Sequence, residues 1–231
     1  PLVIMAALAL PSAAAAQSGN SLIIWPLNPT IKAQEKAAAL WLENPGDQPI
    51  TFQVQSYAWA QQNGEDVYAP QTEVIATPPV VTLAPKSKQL IRITRLGPPP
   101  AQAERSYRLI VDEIPIERPQ SAADTITTGV QFRMRYSLPL FTYAANMLPT
   151  SESTPGQNPA KKGLYPTPDL VWHFGKDGKN RVIHIANRGN GHARLTQAKI
   201  SNGSNGADIA TGLMGYVLPG SHLRYVLPND L

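Results

Sequence analysis

The sequence contains no cysteine. That excludes disulfides, thiolate nucleophiles and thiolate metal sites, so whatever the chain does uses other chemistry. No run of Lys or Arg stands out along it, and a formal charge of +4 over 231 residues is modest, so nucleic-acid binding is not indicated. No apolar run approaches the ~20 residues that cross a bilayer. Also missing are a GxSxG nucleophile elbow, a phosphate-cradling glycine loop and an HExxH zinc motif. The histidines, His173, His184, His192 and His222, all fall in the C-terminal part. His184 and His192 can approach each other across a hairpin, yet no Asp or Glu lies close in that block to complete a metal or acid/base pair. Asp112 and Glu113, as neighbours in a strand, point to opposite faces and cannot share a substrate. No catalytic residue, metal ion or cofactor is expected.

Proline is abundant instead, at 23 residues, which forbids long helices and fits short strands joined by turns. An apolar fraction of 42% and a charged fraction of 16% are globular values, and the length suits two domains of about 100 residues each. The expected class is all-β. Leu2 to Leu10 is an apolar run followed by Pro11, Ser12 and four alanines, the pattern of a signal peptide's apolar region and cleavage site. Residues 1–16 are therefore read as a partial signal peptide, which implies secretion.

From Ser21 onward, short alternating runs are punctuated by Pro, Gly and Asn. Strands are expected over 21–25, 37–43, 50–59, 80–83, 88–95, 105–113 and 125–141, with turns at Asn44-Pro45-Gly46-Asp47 and Asn63-Gly64. That density matches an immunoglobulin-like sandwich. The segment Glu35 to Leu42 can also be read as helix; strand is preferred because Asn44-Pro45 stops it. Residues 146–168, with Pro149, Pro155, Pro159, Pro166 and Pro168, read as a linker. Further strands follow at 170–174, 181–186, 193–200, 209–215 and 221–227. The expected division is an N-terminal domain over 17–145 and a C-terminal domain over 150–231, the latter lacking its last strand.

The most informative stretch is TITTGVQFRMRY, Thr125 to Tyr136. Ile126, Thr128, Val130, Phe132 and Met134 form an apolar row that alternates with a polar row containing Arg133 and Arg135. A half-buried core strand would look the same. The run is long for a small sandwich, however, and its polar face carries two arginines where mixed signs are usual.

Several blocks, in this order and spacing, resemble the periplasmic chaperones of the chaperone–usher pathway: SLIIWPLNPTIKAQEKAAALWLEN, ATPPV at Ala76 to Val80 followed by LAP at Leu83 to Pro85, EIP at Glu113 to Pro115, and then the long alternating strand. The IWPLNP and MRYSLPLF segments look like the archaic branch of that family, whose systems build thin adhesive pili and biofilms. This resemblance covers residues 21–143; IANRGNGHARLT at Ile185 to Thr196 looks like the entry to the family's second domain. It implies two immunoglobulin-like β-sandwich domains at an angle, in the periplasm, with pilin subunits and an outer-membrane usher as partners. The implied mechanism is donor-strand complementation: Ile126, Thr128, Val130, Phe132 and Met134 face outward and fill the groove of a pilin that lacks a strand. Where better-studied members hold the pilin carboxylate with Arg and Lys, alignment places Asn28 and Ser137. Arg135, Arg133 and Arg92 are then the candidate anchors. Glu113 matches an acidic position that ties the two domains together. An extracellular structural or adhesive protein, a pilin or a carbohydrate-binding module, is the alternative; a sugar binder clusters Trp and Tyr on one surface, and Trp25, Trp41, Trp59 and Trp172 lie in scattered strands.

Overall fold

A computed structural model describes residues 22–101, 103–115, 133–145, 147, 166–202 and 205–228, and every regular element among them is a β-strand. The N-terminal part contains β1 (Ile23–Trp25), β2 (Thr30–Ile31), β3 (Ala37–Glu43), β4 (Ile50–Gln62), β5 (Glu65–Pro70), β6 (Val74–Thr77), β7 (Val80–Leu83), β8 (Lys88–Arg95), β9 (Arg105–Ile114) and β10 (Arg135–Thr142). They form a four-stranded sheet, β1-β3-β8-β6, packed on a six-stranded one, β2-β10-β9-β4-β5 with β7 beside β4. Alternation explains the layers. Leu40 and Leu42 of β3, Phe52 and Val54 of β4, Ile91 and Ile93 of β8, Leu109 and Val111 of β9 and Leu138 and Leu140 of β10 all turn inward into one core. The period of two thus settles the Glu35 to Leu42 segment as strand from Ala37 onward.

Both expected turns are built. Asn63 (φ 54°) and Gly64 (φ 82°) close the β4–β5 hairpin with two left-handed residues. The Asn44 side chain accepts from Gly46 N (2.9 Å) and donates to Gln48 O (2.8 Å), Leu83 O (3.3 Å) and Ala84 O (3.2 Å), fastening the β3–β4 turn to the end of β7.

The C-terminal part contains β11 (Leu170–Asp177), β12 (Asn180–Asn187), β13 (Ala193–Thr196), β14 (Lys199–Asn202), β15 (Asn205–Asp208), β16 (Leu213–Val217) and β17 (His222–Val226). They pair as β11-β12-β17, β13-β16 and β14-β15 around Ile183, Ile185, Met214, Val217 and Leu227. Two expectations are corrected here. The expected strand over 193–200 breaks at Gln197, which is left-handed (φ 50°), and that over 209–215 starts only at Leu213 because Ile209 N and Ala210 N both donate to Ala198 O in a turn. Strands β2, β5, β6 and β15 were not expected; β5, EDVYAP, is mostly solvent-exposed and shows no clean apolar alternation.

Candidate functional site

One edge of the six-stranded sheet is only partly paired among the described residues. Strand β10 runs antiparallel to β9, from Arg135 opposite Asp112 to Thr142 opposite Arg105. On its other side β2 pairs in parallel only with Phe141 and Thr142. Between Arg135 and Leu138 no strand lies beside that edge among the described residues.

The ladder fixes which groups face the open side. Glu113 N donates to Met134 O (3.0 Å) and Tyr143 N donates to Ile31 O (3.2 Å), so even-numbered residues of β10 bond to β9 and odd-numbered ones point away. Arg135 and Ser137 therefore present their N–H and C=O groups to the free edge. Pro139 comes next; it is buried and has no N–H to offer. The available edge ends there, just before β2 begins to pair.

Side chains follow the same parity. Tyr136, Leu138 and Leu140 turn into the core. Met134 stands on the same strand face one step before them and is 40% exposed, because it precedes the paired part of β10. Ile126, Thr128, Val130 and Phe132 lie outside the described residues. The apolar row is thus one continuous register: core at Leu138, solvent at Met134.

The three candidate anchor arginines do not converge. Arg133 and Arg135 are exposed at the start of β10, but the Arg135 guanidinium is held across the ladder by Asp112, with Nη2 to Oδ2 at 2.9 Å. That contact pushes the Arg135 pKa up. Arg92 is exposed on β8, in the other sheet, with Ala39 and Thr77 as its cross-strand neighbours. It stands on the opposite outer face of the sandwich.

Glu113 is the residue that the family resemblance offered as an interdomain tie. Its carboxylate accepts from Met134 N (3.3 Å), at the end of β9 remote from the C-terminal sandwich. The tie between the sandwiches is Glu104, nine residues earlier and so roughly 30 Å away along the chain. Glu104 Oε1 accepts from His192 N (2.7 Å), and both carboxylate oxygens lie 2.9 Å from His192 Nδ1. The His192 ring stacks on Phe141 at 3.6 Å. Trp59, Phe141, Tyr143, Ala144 and Met147 pack with Tyr216 and Leu218, and Arg108 lies 3.8 Å over the Trp59 ring and 5.4 Å from that of Tyr216. Gln61 bridges Tyr216 O (2.8 Å) and Leu218 N (2.9 Å). Burial beside the Glu104 carboxylate pushes the Tyr143 phenol well above its usual range. At the hairpin tip Arg224 N donates to Gly64 O (3.0 Å); a Cβ on Gly64 would sit 2.5 Å from Arg224 Cβ, so only glycine fits.

The contact of Glu104 with His192 and the aromatic cluster around it were not found from sequence. Of the two histidines weighed as a pair, His184 stacks on His173 at 4.9 Å, and the carboxylate that meets His192 comes from 88 residues away. Nor are all the tryptophans scattered. Trp25 and Trp41 are cross-strand partners whose rings stack at 6.0 Å, with Lys88 over Trp41 at 5.5 Å.

Residues 27–147 match the family described as pili and flagellar-assembly chaperone, PapD N-terminal domain. The chain belongs to this family. Among solved structures it is similar to the CsuC–CsuE chaperone–tip adhesion subunit pre-assembly complex from the archaic chaperone–usher Csu pili of Acinetobacter baumannii, at 33% identity and TM-score 0.72, over 91% of this chain and 89% of that chain. The E. coli chaperone DraB shares the fold at 18% identity and TM-score 0.56, over 91% of this chain and 87% of that one. So does the complex of the Salmonella enterica SafA pilin with the SafB chaperone, at 18% identity and TM-score 0.58, over 93% and 87%. No curated protein matches. The chaperone is a pilus-assembly chaperone with two immunoglobulin-like sandwiches, and its likeness to CsuC places it with the archaic branch. No helix among its described residues is long and apolar enough to cross a membrane.

Proposed function

We propose that this chaperone works in the periplasm, without catalysis, by lending a strand to pilin subunits and passing them to an outer-membrane usher. The observation that carries the reading is the free edge of β10 from Arg135 to Ser137, continuous with an apolar row that reaches solvent at Met134. An added strand gains main-chain bonds along such an edge, and alternate side chains select the partner. Ile126, Thr128, Val130, Phe132 and Met134 are the donors in this reading, and Arg135, Arg133 and Arg92 the candidates for holding a pilin carboxylate. Val130, Phe132 and Met134 each contribute about 1.5–3 kcal/mol of burial before ordering costs. The proposed domain limits are 17–145 and 150–231. Buried Met147, whose N donates to Ala144 O (2.9 Å), supports a junction just after it.

Phe132→Asp and Gln131→Asp test this, by urea midpoint and by co-purification with pilins. The expected outcome is that Phe132→Asp loses pilin capture while keeping its midpoint, and that Gln131→Asp keeps both. A Phe132→Asp chain that unfolds, while pilins stay soluble without chaperone, rules the reading out.

A further inference from the structure

The two outer faces of the N-terminal sandwich are unlike. On the six-stranded sheet β4 sends Ile50, Phe52 and Val54 to the core and turns Thr51, Gln53 and Gln55 outward, as a sheet with one wet face does. The four-stranded sheet departs from that rule. Its strands also send an apolar row inward, Ile24, Leu40, Val74 and Ile91 among it. Yet Ile23 and Trp25 of β1, Ala39 and Trp41 of β3, Ile75 of β6 and Leu90 of β8 stand on the outer face. Trp25 lies opposite Trp41 and Trp41 opposite Leu90, so the patch is continuous across three strands. Ile23, Ile75 and Leu90 are exposed, and both indoles are half-buried. Strand β3, AAALWLE, is apolar on both faces up to its last residue, the pattern of a strand covered on both sides.

The polar groups on this face say what covers it. Its strands turn Lys88, Arg92 and Glu43 outward, two cations against one carboxylate. Neither cation is in an ion pair among the described residues; Lys88 Nζ lies 5.5 Å over the Trp41 ring. The indole N–H groups of Trp25 and Trp41 have no hydrogen-bond partner there either. An apolar body with a free N–H suits the boundary between hydrocarbon and water, and Lys and Arg stems lie along apolar surface while their heads reach phosphate. We propose that this face rests on an anionic phospholipid surface, its apolar side chains and indoles entering the headgroup boundary while Lys88 and Arg92 meet lipid phosphates. A bilayer offers phosphate to both cations without a matched register, which a protein cover would need. The face is opposite to the sheet that carries β10, so a chain docked this way keeps its free strand edge open to a partner.

The test is co-sedimentation of the full chain with vesicles of phosphatidylglycerol mixed with phosphatidylethanolamine, against vesicles of phosphatidylcholine alone, with indole emission read alongside. Retention on the anionic vesicles is expected, weakening as salt is added and accompanied by a blue shift of the emission. Lys88→Gln and Arg92→Gln should each lower the partition about fivefold. Lys88→Gln decides the case, because Lys88 is exposed and belongs to no other site proposed for this chain. Trp172, the most exposed indole, lies on β11; Trp172→Phe should keep both the retention and the shift, which assigns them to Trp25 and Trp41. Retention unchanged in Lys88→Gln, or lost in Trp172→Phe, overturns the proposal. So does a chain that ignores both kinds of vesicle, a result that favours a protein cover for this face. None of these readouts involves pilin capture, so the surface can fail while the donor-strand reading holds.

Discussion

The two sandwiches solve the same local problem alike and the global one differently. Each ends an inner strand on a buried asparagine that organises the next turn. Asn44 follows β3; Asn187 closes β12, accepting from Asp169 N (3.1 Å) and Gly189 N (2.9 Å) while donating to Gly191 O (2.7 Å) and Val217 O (2.9 Å). The cores diverge. In the N-terminal sandwich the inward rows of the facing sheets close on each other, and Leu40, Ile91, Leu109 and Leu140 are wholly buried. In the C-terminal one, Leu170, Trp172 and Phe174 of β11 share the face of Ile183 and Ile185 yet stay 37%, 62% and 46% exposed. The same alternation yields a finished core where a second sheet covers it and an open apolar row where, among the described residues, none does.

That contrast predicts the largest effect. Leu109→Ala removes a fully buried side chain and is expected to cost about 3 kcal/mol, read as a lower urea midpoint. Trp172→Ala takes away a larger side chain and should shift the midpoint far less, because most of its surface never left water. Comparable losses in the two variants would mean that the β11 row is part of a closed core after all.

Next in size is the joint, where the sandwiches differ in what they supply. The N-terminal one brings the buried carboxylate, the C-terminal one both donors of His192. Glu104→Ala strands those donors and should cost about 2–3 kcal/mol. It should also uncouple the units, so that calorimetry resolves two transitions where the parent shows one. A single unshifted transition would show that the aromatic cluster alone holds the halves together.

A smaller effect separates the sandwiches by pH. Burial, with the Glu73 hydrogen bond, pushes the Tyr107 pKa up to about 12, and the Tyr107 and Arg105 bonds hold Glu73 below its usual range. A raised tyrosine pKa favours the folded state fully below the unfolded value near 10 and loses that contribution as pH climbs through 12. A lowered carboxylate pKa contributes above its unfolded value and is lost as pH falls through the folded one. N-terminal stability should therefore decline in alkali between pH 10 and 12. Tyr107→Phe should flatten that limb in a urea-midpoint series; an unchanged alkaline slope refutes the assignment.

How much of this was legible in sequence depends on how far apart the interacting residues lie. Strands β3, β4, β7, β8 and β9 were readable because each has its own alternation and turn signals. β5 was not, since an exposed edge strand needs no apolar row, and β2 is two residues long. The direction of the donor row was not legible from its alternation, which fits a core strand equally well; outward side chains are what the family resemblance implies, and the register that makes Tyr136 and Leu138 core on that same face comes only from pairing with β9. The joint was illegible. Glu104 meets His192, Gln61 meets Leu218 and Arg108 meets Tyr216 across long separations, and no local pattern marks any of the six.

The smallest change in stability is expected where the change in function is most informative. Asp112 and Arg135 face each other across β9 and β10, with Arg135 standing 72% exposed in water. An exposed pair of this kind adds little to folding, so Asp112→Asn should melt as the parent does. Its effect on pilin capture has a definite sign. If Arg135 takes a pilin carboxylate, it must first leave Asp112, whose own carboxylate competes with the incoming one for the same planar fork. Removing the competitor should strengthen capture, and Arg135→Gln should weaken it. The double variant should match Arg135→Gln, because Asp112 then has nothing to withhold. Retention of a tagged pilin under rising salt reads all three, since pairing with an exposed charge is screened. Equal retention in Asp112→Asn, Arg135→Gln and the parent would remove Arg135 from the anchor and leave Arg133 and Arg92 to be tested by the same substitution to Gln.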